Sequence, residues 1–396
     1  MKEDTKIAHA GRHPFDNHGV VNPPVYHAST ILHPTVAAME ESRKAFTTGA
    51  KVTVYGRRGT PTSYAFEEAV AALEQAADAV VLPSGLAAIT AAMLAFLKAG
   101  DHVLMVDSVY TPSRRFCDGF LARFGVETTY YDPTIGGGIA DLMRDTTRIV
   151  YTESPGSQTF EVQDIPAIAR AAHAGGAKVL MDNTWASPVF FKPYDHGVDV
   201  SIHAATKYMV GHSDAMLGVV TAATTEDALK VRNAASELGF STGPDDIYLG
   251  LRGLRTIGVR LRQHHTSGIA LARWLAARPE VARVLHPALE DFPTHALWKR
   301  DFSGASGLFG VVLKPCSKDA VAAMLDGLKL YGMGASWGGY ESLILPTHPE
   351  ASRSATTWAT DGPCLRIHCG LEDMEDLTAD LDAGFARLRA SDRQPG

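Results

Sequence analysis

Met181-Asp182-Asn183-Thr184 places a carboxylate at the end of an apolar run. About one β–α unit later, Ser201-Ile202-His203-Ala204-Ala205-Thr206-Lys207-Tyr208 places a lysine just beyond another. Open α/β sheets gather ligands outside the carboxyl ends of their strands, so both residues stand where chemistry is done. A third piece, Ser84-Gly85-Leu86, opens an Ala/Leu-rich stretch. The first N–H groups of such a helix lack intrahelical acceptors and its dipole end is positive, which suits a phosphate. A lysine able to form a Schiff base, a carboxylate to pair with a pyridinium nitrogen and a phosphate anchor are what pyridoxal 5'-phosphate (PLP) needs. Either charged residue alone is an ordinary strand-end residue; their order and spacing carry the expectation.

Other catalytic patterns are weaker. Gly334-Ala335-Ser336-Trp337-Gly338 fits G-x-S-x-G, with Asp361 and His368 following in the order of a serine hydrolase. That elbow needs a helix directly after the serine, whereas Gly338–Leu345 reads as a loop and a strand, so the hydrolase reading is remote. No P-loop and no H-E-x-x-H occur, and Gly136-Gly137-Gly138 does not continue as G-x-G-x-x-G. The sixteen histidines include His264-His265 but no convincing ligand cluster, and the four cysteines form no C-x-x-C, so no metal is expected. Cys117, near Tyr110, reads as a packed cysteine on a helix.

These residues need a scaffold. A chain of 396 residues suggests two or three domains at roughly 150 residues each. From about Thr62, helical stretches alternate with short apolar runs. The runs are Ala79–Leu82, His102–Val106, Arg148–Tyr151, Lys178–Met181, Val198–Ile202 and Leu217–Thr221. Helices are expected over Val36–Phe46, Tyr64–Gln75 and Ile165–Ala174, and from Gly85 to Lys98 with Gly100 as the C-cap. Apolar runs of four to six residues between helices predict an α/β domain with a mostly parallel sheet covered on both faces. After about Gly253 a long helical pattern reaches Ala277. Strands at Leu308–Leu313 and Cys364–Ile367 and helices at Lys318–Leu325 and Asp373–Leu388 follow, predicting a smaller C-terminal α+β domain. The first 60 residues, rich in Pro, His, Gly and Thr, read as an extended arm laid along a surface, which can cross to a neighbouring subunit. The expected division is residues 1–60, 61–255 and 256–396.

Charge narrows the partners. Thirty-seven Lys and Arg against forty-four Asp and Glu give −7, a poor balance for nucleic acid or an anionic membrane. The basic stretch Arg252, Arg255, Arg260 and Arg262 therefore reads as a charged helix face or subunit interface. No apolar run approaches the ~20 residues of a membrane span, and the N-terminus lacks a secretory pattern; a cytoplasmic protein is expected.

Longer matches cover essentially the whole chain. They are Tyr55-Gly56-Arg57-Arg58-Gly59-Thr60, Asp107-Ser108-Val109-Tyr110, Glu153-Ser154-Pro155-Gly156-Ser157, Asp182-Asn183-Thr184-Trp185 and Ala205 to Asp214. Gly253-Leu254-Arg255-Thr256, Ser336 to Leu343 and Leu365-Arg366-Ile367-His368 complete the set. On these the sequence resembles the PLP-dependent enzymes of Cys/Met metabolism. Trp337 within Ser-Trp-Gly-Gly and the Tyr-Gly-Arg-Arg-Gly-Thr run are similar to the branch that breaks the Cβ–S bond.

The resemblance implies an aspartate-aminotransferase-type PLP-dependent fold and β-elimination from an amino-acid thioether, L-cystathionine, to homocysteine, pyruvate and ammonia. By it, Lys207 carries the Schiff base and acts as base at Cα, Asp182 pairs with the ring nitrogen, and Tyr110 stacks on the ring. Gly85, Leu86 and the Thr206 hydroxyl hold the phosphate, while Arg366 clamps the substrate carboxylate with help from Ser336 and Trp337 lines the pocket. Tyr55 and Arg57 reach the phosphate of a neighbouring subunit, which implies a homotetramer built from dimers with shared sites. Many relatives have serine where this chain has Ala204, so Thr206 and Arg57 carry more of the phosphate. The same family also holds cystathionine γ-synthase and γ-lyase, methionine γ-lyase and cysteine desulfhydrases. A non-catalytic protein on this fold is expected to lose Lys207, Arg366 or Tyr110, and all three are present.

Overall fold

The computed structural model describes residues 1–359 and 362–392. Two sheets organise them. Seven strands form the larger: β1 (Asp78–Leu82), β2 (His102–Val106), β3 (Glu127–Tyr131), β4 (Thr147–Glu153), β5 (Lys178–Asp182), β6 (Val200–His203) and β7 (Gly218–Ala222). Their spatial order is β1-β7-β6-β5-β4-β2-β3. The run from β3 through β2, β4 and β5 to β6 is parallel, and β7 lies antiparallel to both β6 and β1. Strands β2, β6 and β7 are buried at every position, which explains their continuous apolar sequences.

The smaller sheet, in order β10-β11-β9-β8, is antiparallel. It comprises β8 (Val281–Leu285), β9 (Leu308–Leu313), β10 (Leu343–Thr347) and β11 (Cys364–His368). Two hydrophobic cores result: one surrounds the larger sheet and also takes in Leu285, Leu308, Val312 and Cys364 of the smaller sheet, and the second holds the remaining buried apolar residues of the smaller sheet. Helix Ile257–Ala276 enters both, with Ile257 and Leu261 in the first and Leu271, Ala272 and Leu275 in the second.

Several boundaries differ from the sequence-based ones. The Ala/Leu helix spans Gly85–Leu94 and ends at Ala95, not at Lys98; Gly100 instead takes φ +87 in the turn before β2. Strand β3 was not expected, because Glu-Thr-Thr-Tyr-Tyr lies at the sheet edge and buries only its last residue. Nor was the short helix Glu3–His9, whose single buried residue is Ile7.

That segment accounts for two arginines of the basic stretch. Arg255 Nη1 donates to the Ile7 and Ala10 carbonyls at 3.0 and 2.7 Å, and Arg262 pairs with Asp4 at 2.8 Å. Arg260, buried, donates to the Gly253 carbonyl at 2.8 Å. Three of the four arginines thus bind their own chain. The Pro-rich segment also lies on its own chain: Tyr26 N–H donates to Thr62 Oγ1 at 2.8 Å, and that hydroxyl donates to the Pro24 carbonyl at 2.9 Å.

Candidate active site

The parallel strands deliver their functional side chains at one edge. β5 ends in Asp182, in register with Glu153 at the end of β4. β2 runs into Asp107 and the turn that presents Tyr110. β6 ends at His203, and Lys207 follows four residues later on a turn closed by hydrogen bonds from Lys207 N–H to the Ala204 carbonyl and from Gly211 N–H to the Lys207 carbonyl.

Lys207 Nζ lies 2.7 Å from Ser336 Oγ and 5.3 Å from the centre of the Trp337 ring. Trp337 in turn packs against Tyr208, ring centres 5.5 Å apart. Burial, and next the Arg366 charge, lower the Lys207 ammonium to about 8 against the opposing pull of Asp182. Arg366, on β11, donates from Nη2 to the Ala335 and Ser336 carbonyls at 3.0 and 3.2 Å, which fixes its guanidinium beside the Ser336 loop. Tyr110 presents a half-exposed ring. Its phenol is raised by burial and by the Glu153 and Asp182 charges, with Arg366 opposing.

Asp182 is bonded only to Thr184 among the described residues, through a 3.0 Å hydrogen bond from the Thr184 N–H to Oδ1. Burial raises its carboxyl, opposed by Thr184, His203 and Lys207. A buried carboxylate whose bonds come from a single neighbouring residue keeps acceptor capacity for a protonated ring nitrogen.

The phosphate end is equally specific. Ser84 caps helix Gly85–Leu94 by accepting from Ala87 N–H at 3.1 Å, which leaves the earlier N–H groups of Gly85 and Leu86 outside the helical ladder. A Cβ added to Gly85 would meet Ala204 Cβ at 2.5 Å, so the lysine turn sits directly on this first turn. The donor set therefore fits PLP: lysine, carboxylate and helix N-terminus converge. Thr206 is committed elsewhere in this structure, since its hydroxyl donates to the Leu217 carbonyl at 3.0 Å and accepts from Leu217 N–H at 2.8 Å.

Tyr55 and Arg57 make none of the contacts that gather Lys207, Ser336, Trp337 and Arg366. Arg57 Nη1 donates to the Ser236 carbonyl at 2.9 Å at the wall of a separate cavity of about 360 Å³. The turn that carries them, Gly56–Arg58, is tied to its own arm by a 2.8 Å bond from Gly56 N–H to the Ser29 carbonyl.

The serine-hydrolase geometry does not form. A loop and β10 follow Ser336, with no helix. His368 is buried, lowered by that burial to about 3, and its Nε2 lies 3.2 and 3.1 Å from Gly338 N and Gly339 O. Asp361 lies outside the described residues. Cys117 is buried, which raises its thiol to about 12 and makes it inert. His264 and His265 each contact backbone, the Cys369 carbonyl and Ala305 N–H.

Three supporting residues escaped the sequence reading. Glu153 Oε2 accepts from Tyr110 N–H at 2.7 Å and so fixes the aromatic turn. Beneath Asp182, Glu74 and His203 form a buried pair at 2.6 Å. Glu74 also accepts from Ser201 Oγ at 2.8 Å, from Asn183 Nδ2 at 3.1 Å and from Thr221. Burial alone would raise the Glu74 carboxyl, but the His203 charge and these bonds prevail and hold it low. A signal existed: Glu67 and Glu74, two helical turns apart, fall on the buried face of helix Pro61–Glu74.

Known proteins resemble this chain along nearly its whole length. Residues 4–386 match the family described as Cys/Met metabolism PLP-dependent enzymes. The chain is 52% identical to a putative cystathionine beta-lyase of Rhizobium johnstonii, over 98% of this chain and 96% of that one. It is 46% identical to the cystathionine beta-lyase MetC of Escherichia coli, over 98% and 99%. Among solved structures, cystathionine gamma synthase from Xanthomonas oryzae pv. oryzae superposes with a TM-score of 0.90 at 32% identity, covering 99% of each chain.

Proposed function

The chain belongs to the Cys/Met metabolism PLP-dependent enzyme family, and from that premise we propose that it cleaves the Cβ–S bond of L-cystathionine, consuming water and yielding homocysteine, pyruvate and ammonia. The observation that carries this reading is the Lys207 amine, 2.7 Å from Ser336 Oγ on a turn seated against the helix N-terminus at Gly85, with Arg366 and Asp182 near enough to act on its charge.

PLP, when bound, supplies an electron sink that lets a proton leave the substrate Cα. The residues do the rest. Lys207 takes that proton, and its lowered basicity keeps a useful fraction of free amine near neutral pH. Asp182 holds a proton on the ring nitrogen. Gly85 and Leu86 N–H groups bind the phosphate, joined by the Thr206 hydroxyl when it turns from Leu217. Tyr110, on a turn held by Glu153, would stack against the bound ring and orient it for proton removal. Arg366 receives the α-carboxylate on a fork already oriented by two backbone carbonyls, with Ser336 beside it. Trp337, over Lys207, lines the space for the departing thiol.

Tyr55 and Arg57 serve the phosphate of a neighbouring subunit, in a homotetramer of dimers with shared sites. The placement of Arg57 at a cavity away from the Lys207 cluster of its own chain supports this assignment. The four cysteines are free thiols, three of them buried, which suits a reducing cytoplasm.

The similarity to a gamma synthase gives the second reading, chemistry at Cγ. Cα deprotonation is common to both, so Lys207 and Asp182 do not separate them, whereas products do. Purified holoenzyme given L-cystathionine is expected to release pyruvate and homocysteine; 2-oxobutyrate and cysteine would replace this reading with γ-cleavage.

A further inference from the structure

Asp107, buried at the end of β2, gathers donors from a segment almost 250 residues away in the chain. Its Oδ2 accepts from Thr356 N–H at 2.8 Å, Ala355 N–H at 3.1 Å and Thr356 Oγ1 at 2.7 Å. Its Oδ1 accepts from Ser354 N–H at 3.0 Å and Arg114 Nη2 at 2.6 Å. Three consecutive backbone N–H groups closing on one carboxylate make an anion nest whose anion is a side chain of the other sheet. Arg114 Nη1 also donates to Ser354 Oγ at 3.0 Å, and Arg353 binds Glu161 at 2.7 Å, so both partners of the nest are themselves braced.

The two elements joined matter. Asp107 stands three residues before Tyr110. Ser354–Thr356 lie in the connection between β10 and β11, and β11 carries Arg366. The bond therefore ties the turn of the ring-covering tyrosine to the strand of the carboxylate clamp. Arg366 lies near enough to Tyr110 to oppose the rise of its phenol.

We propose that Asp107 is a positioning residue: it latches the β10–β11 connection to the Tyr110 turn and so fixes the spacing of Tyr110 and Arg366 that the substrate must fit. The inference rests on the roles given above to those two residues. An asparagine keeps the shape but turns one acceptor into a donor facing other donors, so it releases the nest without opening a cavity.

The test uses PLP-loaded Asp107→Asn and, as a milder change that keeps the carboxylate and backbone, Thr356→Val. Hydrogen exchange read by mass spectrometry is compared over residues 348–359, with steady-state kinetics on L-cystathionine and the visible absorbance of the bound cofactor. For Asp107→Asn, exchange over 354–356 is expected to quicken at least about tenfold. KM should rise about tenfold while kcat stays within about threefold and the absorbance is unchanged. Thr356→Val should move exchange and KM the same way by about two- to threefold. Unchanged exchange in both variants overturns the latch; so does quickened exchange with unchanged KM, or a loss confined to kcat. If the parent enzyme does not cleave cystathionine, the functional reading fails instead, and exchange alone still decides whether Asp107 holds the connection.

Discussion

Replacing Arg366 by methionine removes the guanidinium fork while keeping a side chain of similar reach. The fork is oriented before substrate arrives, since Nη2 is held by the Ala335 and Ser336 carbonyls at 3.0 and 3.2 Å. Hydrogen bonds to a charged partner contribute about 1.5–3 kcal/mol each, so a bidentate grip on the α-carboxylate contributes ~3–6 kcal/mol. Water recovers part of this in a partly exposed site, leaving a loss of ~3–4 kcal/mol. At about 1.4 kcal/mol per tenfold, kcat/KM should fall by between about 10² and 10³. The control is a thioether amine lacking the α-carboxylate. Wild type and Arg366→Met should process it within about threefold of each other, because the missing interaction is already absent. A loss below tenfold on cystathionine, or an equal loss on the carboxylate-free amine, refutes the clamp. A second consequence is independent of turnover. Arg366 depresses the Lys207 ammonium second only to burial, so in the cofactor-free variant Lys207 should be modified by amine reagents at a pH above the wild-type value of about 8.

Lys207→Ala should lose the Schiff-base absorbance and at least about 10³ in turnover, measured by spectrum and pyruvate release; a retained band with normal turnover would remove Lys207 from the mechanism. Glu74→Ala strands the donors of His203, Ser201, Asn183 and Thr221 in the interior, and should destabilise the protein by ~3–5 kcal/mol in denaturant unfolding. Because folding lowers the Glu74 carboxyl below its ordinary 4.5, its stabilising contribution is complete above that value and disappears as pH falls through the folded one. Glu74→Gln should accordingly flatten the acid limb of stability against pH. If Arg57 serves the neighbouring subunit, mixing inactive Arg57→Ala and Lys207→Ala chains should restore about a quarter of wild-type activity, since half of randomly paired dimers hold one intact site of two. No recovery after verified subunit exchange would place Arg57 outside the shared site.

Legibility in the sequence followed the range of the interactions. Strands β2, β4, β5 and β6 were readable because burial on both faces demands unbroken apolar runs. Asp182 and Lys207 were readable because a charge directly after such a run stands at the strand's carboxyl end. β3 escaped because an edge strand with a single buried residue has neither signal. Helix Glu3–His9 escaped because Ile7 is its single buried residue and its other anchors are polar contacts to distant arginines and a lysine. The helix from Gly85 was drawn too long because Phe96 and Leu97 continue its apolar character, although the chain has already turned at Ala95. Asp107 and Ser354–Thr356 could not be paired by any local rule, since their complementarity exists only once both sheets are in place. Glu74 was nearer to view: a carboxylate on the buried face of a helix needs a partner, but the sequence does not say that the partner is His203 on β6.

Helix Ile257–Ala276 belongs to neither sheet alone. Its first turns are sealed by one core and its last turns by the other. Each half of the chain therefore lacks part of its own interior until the other is present. Cutting at the sequence-based boundary near residue 255 would strip the larger core of Ile257 and Leu261 and leave the smaller fragment with an unburied apolar stripe. The two sheets are therefore expected to melt in one transition, and separating them as modules would split this helix's two buried ends.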